Sequence, residues 1–370
     1  MRIAVDIRSL LEPFPSGVSE YTCQLVKNLV AQDQENEYLL FYNSKKGRLP
    51  ERVKSLSGNK IKLIARHWPN KLFNGSLFFF AWPKLDRLLE NVDLFFMPNL
   101  NFCAFSSGCK MVVTIHDLSF LYPGFYSFKG RLWHRAIKPQ AILQRADAVI
   151  AVSKSTKRDL LARYHLAEGK IHVIPHGINI DKYKNIGQDA YAKVLVRYGL
   201  HRPYVLFLGN VETRKNMAGL FLAWQEYKKR DTLNCELVVA GQKINSAPTT
   251  NMPSVRVINY IDEADKPSLY SQAKAFVYVS YYEGFGLPIL EAMAADLPVL
   301  TSFSTSLPSV AEKGALIVDP YNYKEIAEGL YQILNNVELR KNLIAKSKQT
   351  VQAYSWQRSA QDTLNIFLSL

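Results

Sequence analysis

The sequence predicts an α/β protein of more than one domain, and three observations carry that reading. Its 370 residues suffice for two full hydrophobic cores. Short runs rich in β-branched and aromatic residues recur from end to end, many followed by a glycine-bearing loop and then by helical spacing. The clearest unit spans residues 275–300. There the run Ala275-Phe276-Val277-Tyr278-Val279-Ser280 precedes a glycine-punctuated turn, a helix opening near Pro288 and a further strand after Asp296-Leu297-Pro298.

Taken in order, Ile3-Ala4-Val5-Asp6-Ile7 reads as a first strand, 13–18 as the loop after it, and 19–31 as a helix with Tyr21, Leu25, Leu29 and Val30 on one side. Gly17 in that loop is either an ordinary turn glycine or one that lets the backbone approach a ligand. Residues 37–42, 62–65, 92–96 and 110–115 supply further strands, the last ending in His116-Asp117-Leu118. A histidine at the carboxyl end of a parallel strand lies where open α/β sheets bind ligands, although a lone histidine there can equally be structural. Residues 146–153 form another strand running into a helix near Ser155, for which Ser153 is a suitable N-cap. Residues 171–179 give a strand and a sharp turn at Gly177.

Residues 180–202 read as a connection with a short helix, and 203–208 open the second domain. After that strand come Gly209 and then Arg214-Lys215-Asn216. Two adjacent cations in such a loop suit a diphosphate, arginine as a fork and lysine as a point charge; a solvated charge pair is the plainer alternative. Strands at 237–241 and 255–261 and a helix at 266–273 follow. Helical patterns at 323–334, 337–354 and 356–370 close the chain.

The turn at 281–287 carries the densest chemistry. Pro288 suits a first helical turn, where its missing N–H is no loss. Gly284 and Gly286 let backbone amides come close to a ligand at the positive end of a helix dipole, which makes a phosphate site without a metal. Glu283 lies in the loop. Glu291 lies about one turn inside the helix, its side chain leaning back toward the N-terminus, where it can accept hydrogen bonds from the vicinal hydroxyls of a ribose. Taken singly, a capping role for Glu283 and a surface ion pair for Glu291 are the plainer readings.

Together, Glu283-Gly284-Phe285-Gly286-Leu287-Pro288, a second glutamate after seven intervening residues at Glu291, and Ala292-Met293-Ala294 resemble the donor-site signature of retaining GT-B glycosyltransferases of family 4. The resemblance implies two Rossmann-like domains facing a central cleft. Residues 1–180 would be the acceptor side and 181–355 the nucleotide-sugar domain, with the 356–370 helix crossing back to the first. It implies that Glu283 faces the transferred sugar, that Glu291 holds the ribose, and that amides around Phe285, Gly286 and Leu287 hold the diphosphate. Thr114-Ile115-His116-Asp117-Leu118 resembles the segment whose histidine contacts the donor sugar, giving His116 a catalytic role. Gly17 resembles the glycine by which the first loop approaches the diphosphate. The Arg-Lys-Asn loop resembles one branch of the family, so Arg214 and Lys215 are expected on the leaving phosphate. Other branches carry an arginine where Asn210 stands, which leaves open which cation does more. Tyr260 and Ile261 resemble positions that meet the nucleobase. Ser309 replaces a usual glutamate and Asp296 a usual glycine.

The activity so implied is transfer of a hexose from a nucleotide-diphosphate sugar to an acceptor hydroxyl, with retention. No Asp-x-Asp or histidine-rich pattern lies near the site, so neither a metal nor another cofactor is expected. The same two loops look most like those of bacterial mannosyltransferases of surface-polysaccharide synthesis. GDP-mannose is therefore the expected donor, with a UDP-hexose second and a glycan or lipid-linked acceptor. A sugar-nucleotide epimerase of the same fold and a non-catalytic nucleotide-sugar binder remain as alternatives.

Composition sets the surroundings. Cys23, Cys103, Cys109 and Cys235 are scattered without a C-x-x-C pair, which fits a reducing cytoplasm better than a disulfide framework. No apolar run approaches the roughly 20 residues of a membrane span, and the opening residues read as a strand and not a signal peptide. The formal charge of +14 is uneven: residues 1–180 hold 25 Lys+Arg against 14 Asp+Glu. Lys45, Lys46, Arg48, Arg52, Lys54, Lys60, Lys62, Arg66 and Lys71 face only Glu51, and Trp68, Phe73, Leu77, Phe78, Phe79, Phe80 and Trp82 lie among or after them. Such a mixture fits either contact with an anionic membrane at its cytoplasmic face or a solvated basic face beside an ordinary core segment. No nucleic-acid module pattern is present, so no nucleic-acid partner is expected.

Overall fold

The computed structural model describes every residue except 13, 15, 45–49, 57, 59, 185, 243–251 and 260. Lys45, Lys46, Arg48 and Tyr260, named above, and Pro13 and Pro15 of the 13–18 loop lie outside the described residues. The chain divides into two units. Unit 1 is Met1–Leu121, Phe128–Gly177 and Trp356–Leu370; unit 2 is Tyr122–Ser127 and Ile178–Ser355. The contiguous reading of residues 1–180 as one domain thus differs at Tyr122–Ser127 and at residues 178–180, which cluster with unit 2.

Unit 1 is built on a seven-stranded parallel sheet: β1 (Arg2–Asp6), β2 (Glu37–Asn43), β3 (Ile61–Arg66), β4 (Leu94–Met97), β5 (Lys110–Ile115), β6 (Ala148–Ala151) and β7 (Ile171–Val173). Their order is β3-β2-β1-β4-β5-β6-β7. Unit 2 holds a six-stranded parallel sheet: β8 (Tyr204–Leu208), β9 (Glu236–Ala240), β10 (Val255–Ile258), β11 (Ala275–Tyr278), β12 (Val299–Ser302) and β13 (Ala315–Val318), in the order β10-β9-β8-β11-β12-β13. Strands covered on both faces need apolar side chains at every position, which is why they read in the sequence as runs and not as alternations. Both units are Rossmann-like. In each, the strand order reverses at one place, β1 beside β4 and β8 beside β11. Loops leaving the carboxyl ends of those strands are where such sheets bind ligands.

The first helix of unit 1 is Gly17–Gln32, two residues longer at its start than the periodicity indicated. Ser16 caps it by accepting from the Ser19 amide, and the Ser19 hydroxyl in turn accepts from the Ser16 amide. Gly17 is therefore the first helical residue and not a loop residue. The terminal helix, Trp356–Ser369, packs along this helix within unit 1, and the Ser359 hydroxyl donates to the Pro175 carbonyl at 2.7 Å. Ser153 caps the Lys154–Tyr164 helix, accepting from the Thr156 amide at 3.0 Å.

No helix among the described residues is long and apolar enough to cross a membrane. All four cysteines are free.

Candidate active site

The loops after β8 and β11 meet in unit 2 through a buried ion-pair network. Beyond β8 the backbone runs through Gly209 at φ +151° and a 3-10 turn, Thr213–Lys215. Asn216 then takes a left-handed conformation (φ +58°) and caps the Met217–Lys228 helix by accepting from the Gly219 amide. Its Nδ2 donates to the carbonyls of Val279, at 3.1 Å, and Pro320, at 2.6 Å, stitching the cation loop to the strand end beside it. The Tyr281 amide donates to the Arg214 carbonyl at 2.8 Å, which completes the tie.

Glu283 sits between the two cations. Its Oε2 accepts from Arg214 Nη1 at 2.8 Å and its Oε1 from Lys215 Nζ at 2.5 Å. Arg214 is held on its other side by Glu212, Nε to Oε2 at 2.8 Å, and also donates to the Tyr282 carbonyl. Lys215 additionally donates to the Tyr278 hydroxyl and lies 4.6 Å above that ring. Glu283, Lys215 and Tyr278 are all buried. Burial alone would raise the Glu283 pKa, but the charges of Arg214 and Lys215 outweigh it and hold the carboxyl at about 2. Lys215 is shifted down, first by burial and then by Arg214, against the pull of Glu283. Glu283 is thus a permanent anion and no proton donor at neutral pH.

The loop that carries Glu283 is pinned from beyond β12. Thr305 Oγ1 accepts from the Glu283 amide and donates to the Glu283 carbonyl, at 2.9 and 2.8 Å. Ser306 Oγ lies 2.9 Å from the carbonyls of both Glu283 and Phe285. These two hydroxyls went unread in the sequence, because their partners are backbone atoms more than twenty residues away.

Gly286 caps the Leu287–Ala294 helix at φ +106°, with Pro288 in its first turn and no side-chain cap. A Cβ at Gly286 would also lie 2.7 Å from Leu307 Cδ2, so both conformation and space require glycine here. Phe285 and Leu287 are buried, Phe285 packing edge-on against Tyr354 with ring centroids 5.8 Å apart. Glu291, one turn in, is also buried. Its Oε2 accepts from the Tyr270 hydroxyl at 2.8 Å and its Oε1 lies 4.0 Å from Lys266. A surface ion pair is therefore not its setting. Ile261 is buried at the end of the β10 segment. Asp296, which stands where a glycine is usual, adopts φ +55° and is paired with Lys184 at 2.8 Å.

His116 and Gly17 belong to unit 1. His116 follows β5 directly, and its Nε2 lies 2.9 Å from the Pro98 carbonyl beyond β4. A carbonyl only accepts, so Nε2 carries the proton and Nδ1 is the acceptor of the ring. Burial lowers the His116 pKa and keeps the ring neutral. Tyr21 packs edge-on against it at 4.8 Å, and His176 at 5.5 Å. Gly17 has no atom within 4 Å of where a Cβ would stand. No group of three or more metal-ligating side chains occurs among the described residues.

Residues 15–182 match the family described as Glycosyltransferase Family 4, and residues 198–350 match Glycosyl transferases group 1. Among curated proteins, the chain is 26% identical over 367 residues to the O-antigen chain mannosyltransferase B of Escherichia coli, covering 95% of this chain and 96% of that one. Among solved structures it resembles a glycosyltransferase from Rickettsia africae ESF-5 (TM-score 0.73, 20% identity, 99% and 97% of the two chains). It also resembles the sucrose-phosphate synthase of Thermosynechococcus elongatus (TM-score 0.74, 20% identity, 100% and 98%). These structural likenesses are likenesses of fold.

Proposed function

The chain belongs to the family 4 glycosyltransferases and has the GT-B type of fold, and from that premise we propose that it transfers mannose from GDP-mannose, with retention, to a glycan or lipid-linked acceptor. The observation that carries the chemistry is Glu283 bridging Arg214 and Lys215 at the carboxyl ends of β8 and β11. In this reading the bond from the anomeric carbon to the β-phosphate oxygen breaks, and the acceptor hydroxyl attacks the same face. Its proton passes to the departing phosphate, and a glycoside and nucleoside diphosphate leave. Arg214, Lys215 and the N-terminus of the Leu287–Ala294 helix stabilise the charge that builds on that phosphate.

Glu283 does not suit a nucleophile's part, because both of its oxygens are engaged by cations. Its part is to hold those cations in place and to accept from a sugar hydroxyl. Glu291 takes the ribose, with Tyr270 orienting its carboxylate. The amides around Phe285, Gly286 and Leu287 take the diphosphate, and Ile261 lies against the base. Within unit 1, the resemblance of their segments to the family extends the proposal to His116, whose neutral ring suits a sugar hydroxyl, and to Gly17, whose open backbone suits a phosphate. The fixed cations do the work often given to a metal, so turnover is metal-independent. The mannosyl assignment draws on the likeness to the O-antigen mannosyltransferase, and a UDP-hexose is the second donor. A lipid-linked acceptor and the basic unit 1 fit work at the cytoplasmic face of an anionic membrane.

Incubation with GDP-[14C]mannose and a bacterial membrane fraction tests this. Label should pass to a glycan or organic-extractable product with an α-linked sugar, in the presence of EDTA as well as without it. Transfer from UDP-hexoses alone would move the donor, whereas a changed sugar nucleotide formed without acceptor would favour the epimerase.

A further inference from the structure

We infer that unit 2 itself carries a binding site for an extended neutral glycan, a short shelf made by Tyr321 stacked on Tyr281, with Phe303 beside them. The shelf lies at the carboxyl ends of β11, β12 and β13, next to the ion-pair network at Glu283. It rests on the transferase reading and deepens it. Sugar rings of the acceptor gain a place in unit 2, whereas the sequence assigned the acceptor side to residues 1–180.

Tyr321 is 72% exposed, and its ring stacks on Tyr281 with centroids 4.8 Å apart and planes 26° from parallel. One face of the ring is thus backed by Tyr281 and the other is open to solvent. The pair is anchored by the same ties that hold the site. The Tyr281 amide donates to the Arg214 carbonyl at 2.8 Å, two residues before Glu283. Asn216, next to Lys215, donates to the carbonyl of Pro320, and Asp319 Oδ1 accepts from the Tyr321 amide at 2.9 Å. Phe303, 53% exposed, donates its amide to the Val318 carbonyl, which puts it beside the strand leading to Tyr321. It stands two residues before Thr305, which pins the Glu283 loop. Rings held this firmly lose little freedom when a ligand settles on them.

Charge and place decide the occupant. A pyranose offers a face of C–H groups to an aromatic ring and a rim of hydroxyls to polar neighbours, and tyrosine meets both. In a chain of net charge +14, residues 275–312 and 314–323 contain no lysine or arginine. Phosphate, nucleic acid and acidic lipid all need such cations, so a neutral ligand fits best. The donor's base belongs elsewhere. Ile261 follows β10, at the opposite edge of the sheet from β13, and the loops after β8 and β11 lie between the two. A donor with its base at Ile261 and its phosphates at Arg214 and Lys215 leaves the β12 and β13 side to the chain that receives the sugar. Three side chains also fall short of the roughly 1,000 Å² that a stable contact with a second copy would bury.

The test is calorimetric titration of the full chain, without nucleotide, with α-linked mannohexaose, maltohexaose and cellohexaose, and with the matching disaccharides. At least one hexasaccharide is expected to bind, and more tightly than its disaccharide, because the longer chain reaches more than one ring. Tyr321→Ser and Phe303→Ser should each weaken that binding about two- to tenfold, the range for one aromatic contact. Tyr321→Trp should keep or tighten it. Thermal unfolding should be unchanged in all three, since both side chains are exposed. The inference is overturned if no hexasaccharide binds, if both serine variants bind as the parent does, or if Tyr321→Trp loses as much as Tyr321→Ser. Titration of the same proteins with GDP, UDP and ADP separates the two readings. Nucleotide binding without any oligosaccharide binding would remove the shelf and leave the transferase reading standing. Oligosaccharide binding that depends on Tyr321, without any nucleotide binding, would keep the glycan site and remove the donor site.

Discussion

Lys215 Nζ and Glu283 Oε1 stand 2.5 Å apart with both side chains buried, in a pair that Arg214 extends into a triad. Taking charges out of water is costly, and a buried ion pair is weak evidence of net stabilisation. What the triad does supply is position: it fixes two cations at the end of β11 through the Asn216 and Thr305 ties.

Removing the anion should therefore expose both cations. Glu283→Gln is expected to destabilise the fold by about 3–5 kcal/mol at pH 7 in urea denaturation and to abolish turnover. The pH dependence has a definite sign. A carboxyl whose folded pKa is depressed from 4.5 to about 2 contributes stability that is present in full above pH 4.5 and is lost as pH falls toward 2. Between those values the parent should lose stability more steeply than Glu283→Gln. Parallel curves would contradict the assigned ionisation.

Each cation should count separately in the chemistry. Arg214→Ala and Lys215→Ala should each lower kcat by about 10²–10³-fold, the usual effect of deleting one preorganised charge donor, with a smaller change in KM. A loss confined to KM would make them binding residues only.

The glycines divide into two kinds. Gly241→Ala would place a Cβ 2.1 Å from the Gly209 carbonyl oxygen, a backbone atom that cannot step aside, and Gly286→Ala meets both Leu307 and a left-handed φ. Each should cost about 2 kcal/mol or more. Gly17→Ala adds no contact and sits in a helix, so its stability should hold or rise slightly. If turnover nevertheless falls in this folded variant, the space in front of Gly17 belongs to a ligand; unchanged turnover would remove that role.

Two buried histidines give a second pH-dependent limb. Burial holds His116 below its ordinary 6.5, and burial together with the charge of His116 holds His176 well below it. A folded pKa below the unfolded one means that stability is complete above about pH 6.5 and declines as the pH falls beneath it. His176→Phe, which keeps the packing against Tyr21 and Trp356, should flatten thermal stability between about pH 6.5 and 5.

Much of this was legible because parallel strands must be apolar throughout, so twelve of the thirteen strands announce themselves as runs. Ala315–Val318, a four-residue edge strand, did not. Phe128–Ile137 escaped notice because its apolar residues face out, which breaks the link between periodicity and core. The glutamates, cations and glycines of the site were readable from local spacing. Thr305, Ser306, Tyr270 and Tyr278 were not, since each acts on a partner brought to it by the fold. The membership of Tyr122–Ser127 in unit 2 likewise has no local signature.

The central claim is most directly tested by calorimetric titration with GDP, UDP and ADP, on the parent chain and on Glu291→Ala. Binding of GDP in preference to the others, weakened at least tenfold by the substitution, is the predicted result. In a melting experiment, GDP at 100 times its dissociation constant should then add about 2.7 kcal/mol. Binding of UDP alone would contradict the mannosyl donor, and no binding of any nucleotide would contradict the placing of the donor site at Glu283 and Glu291.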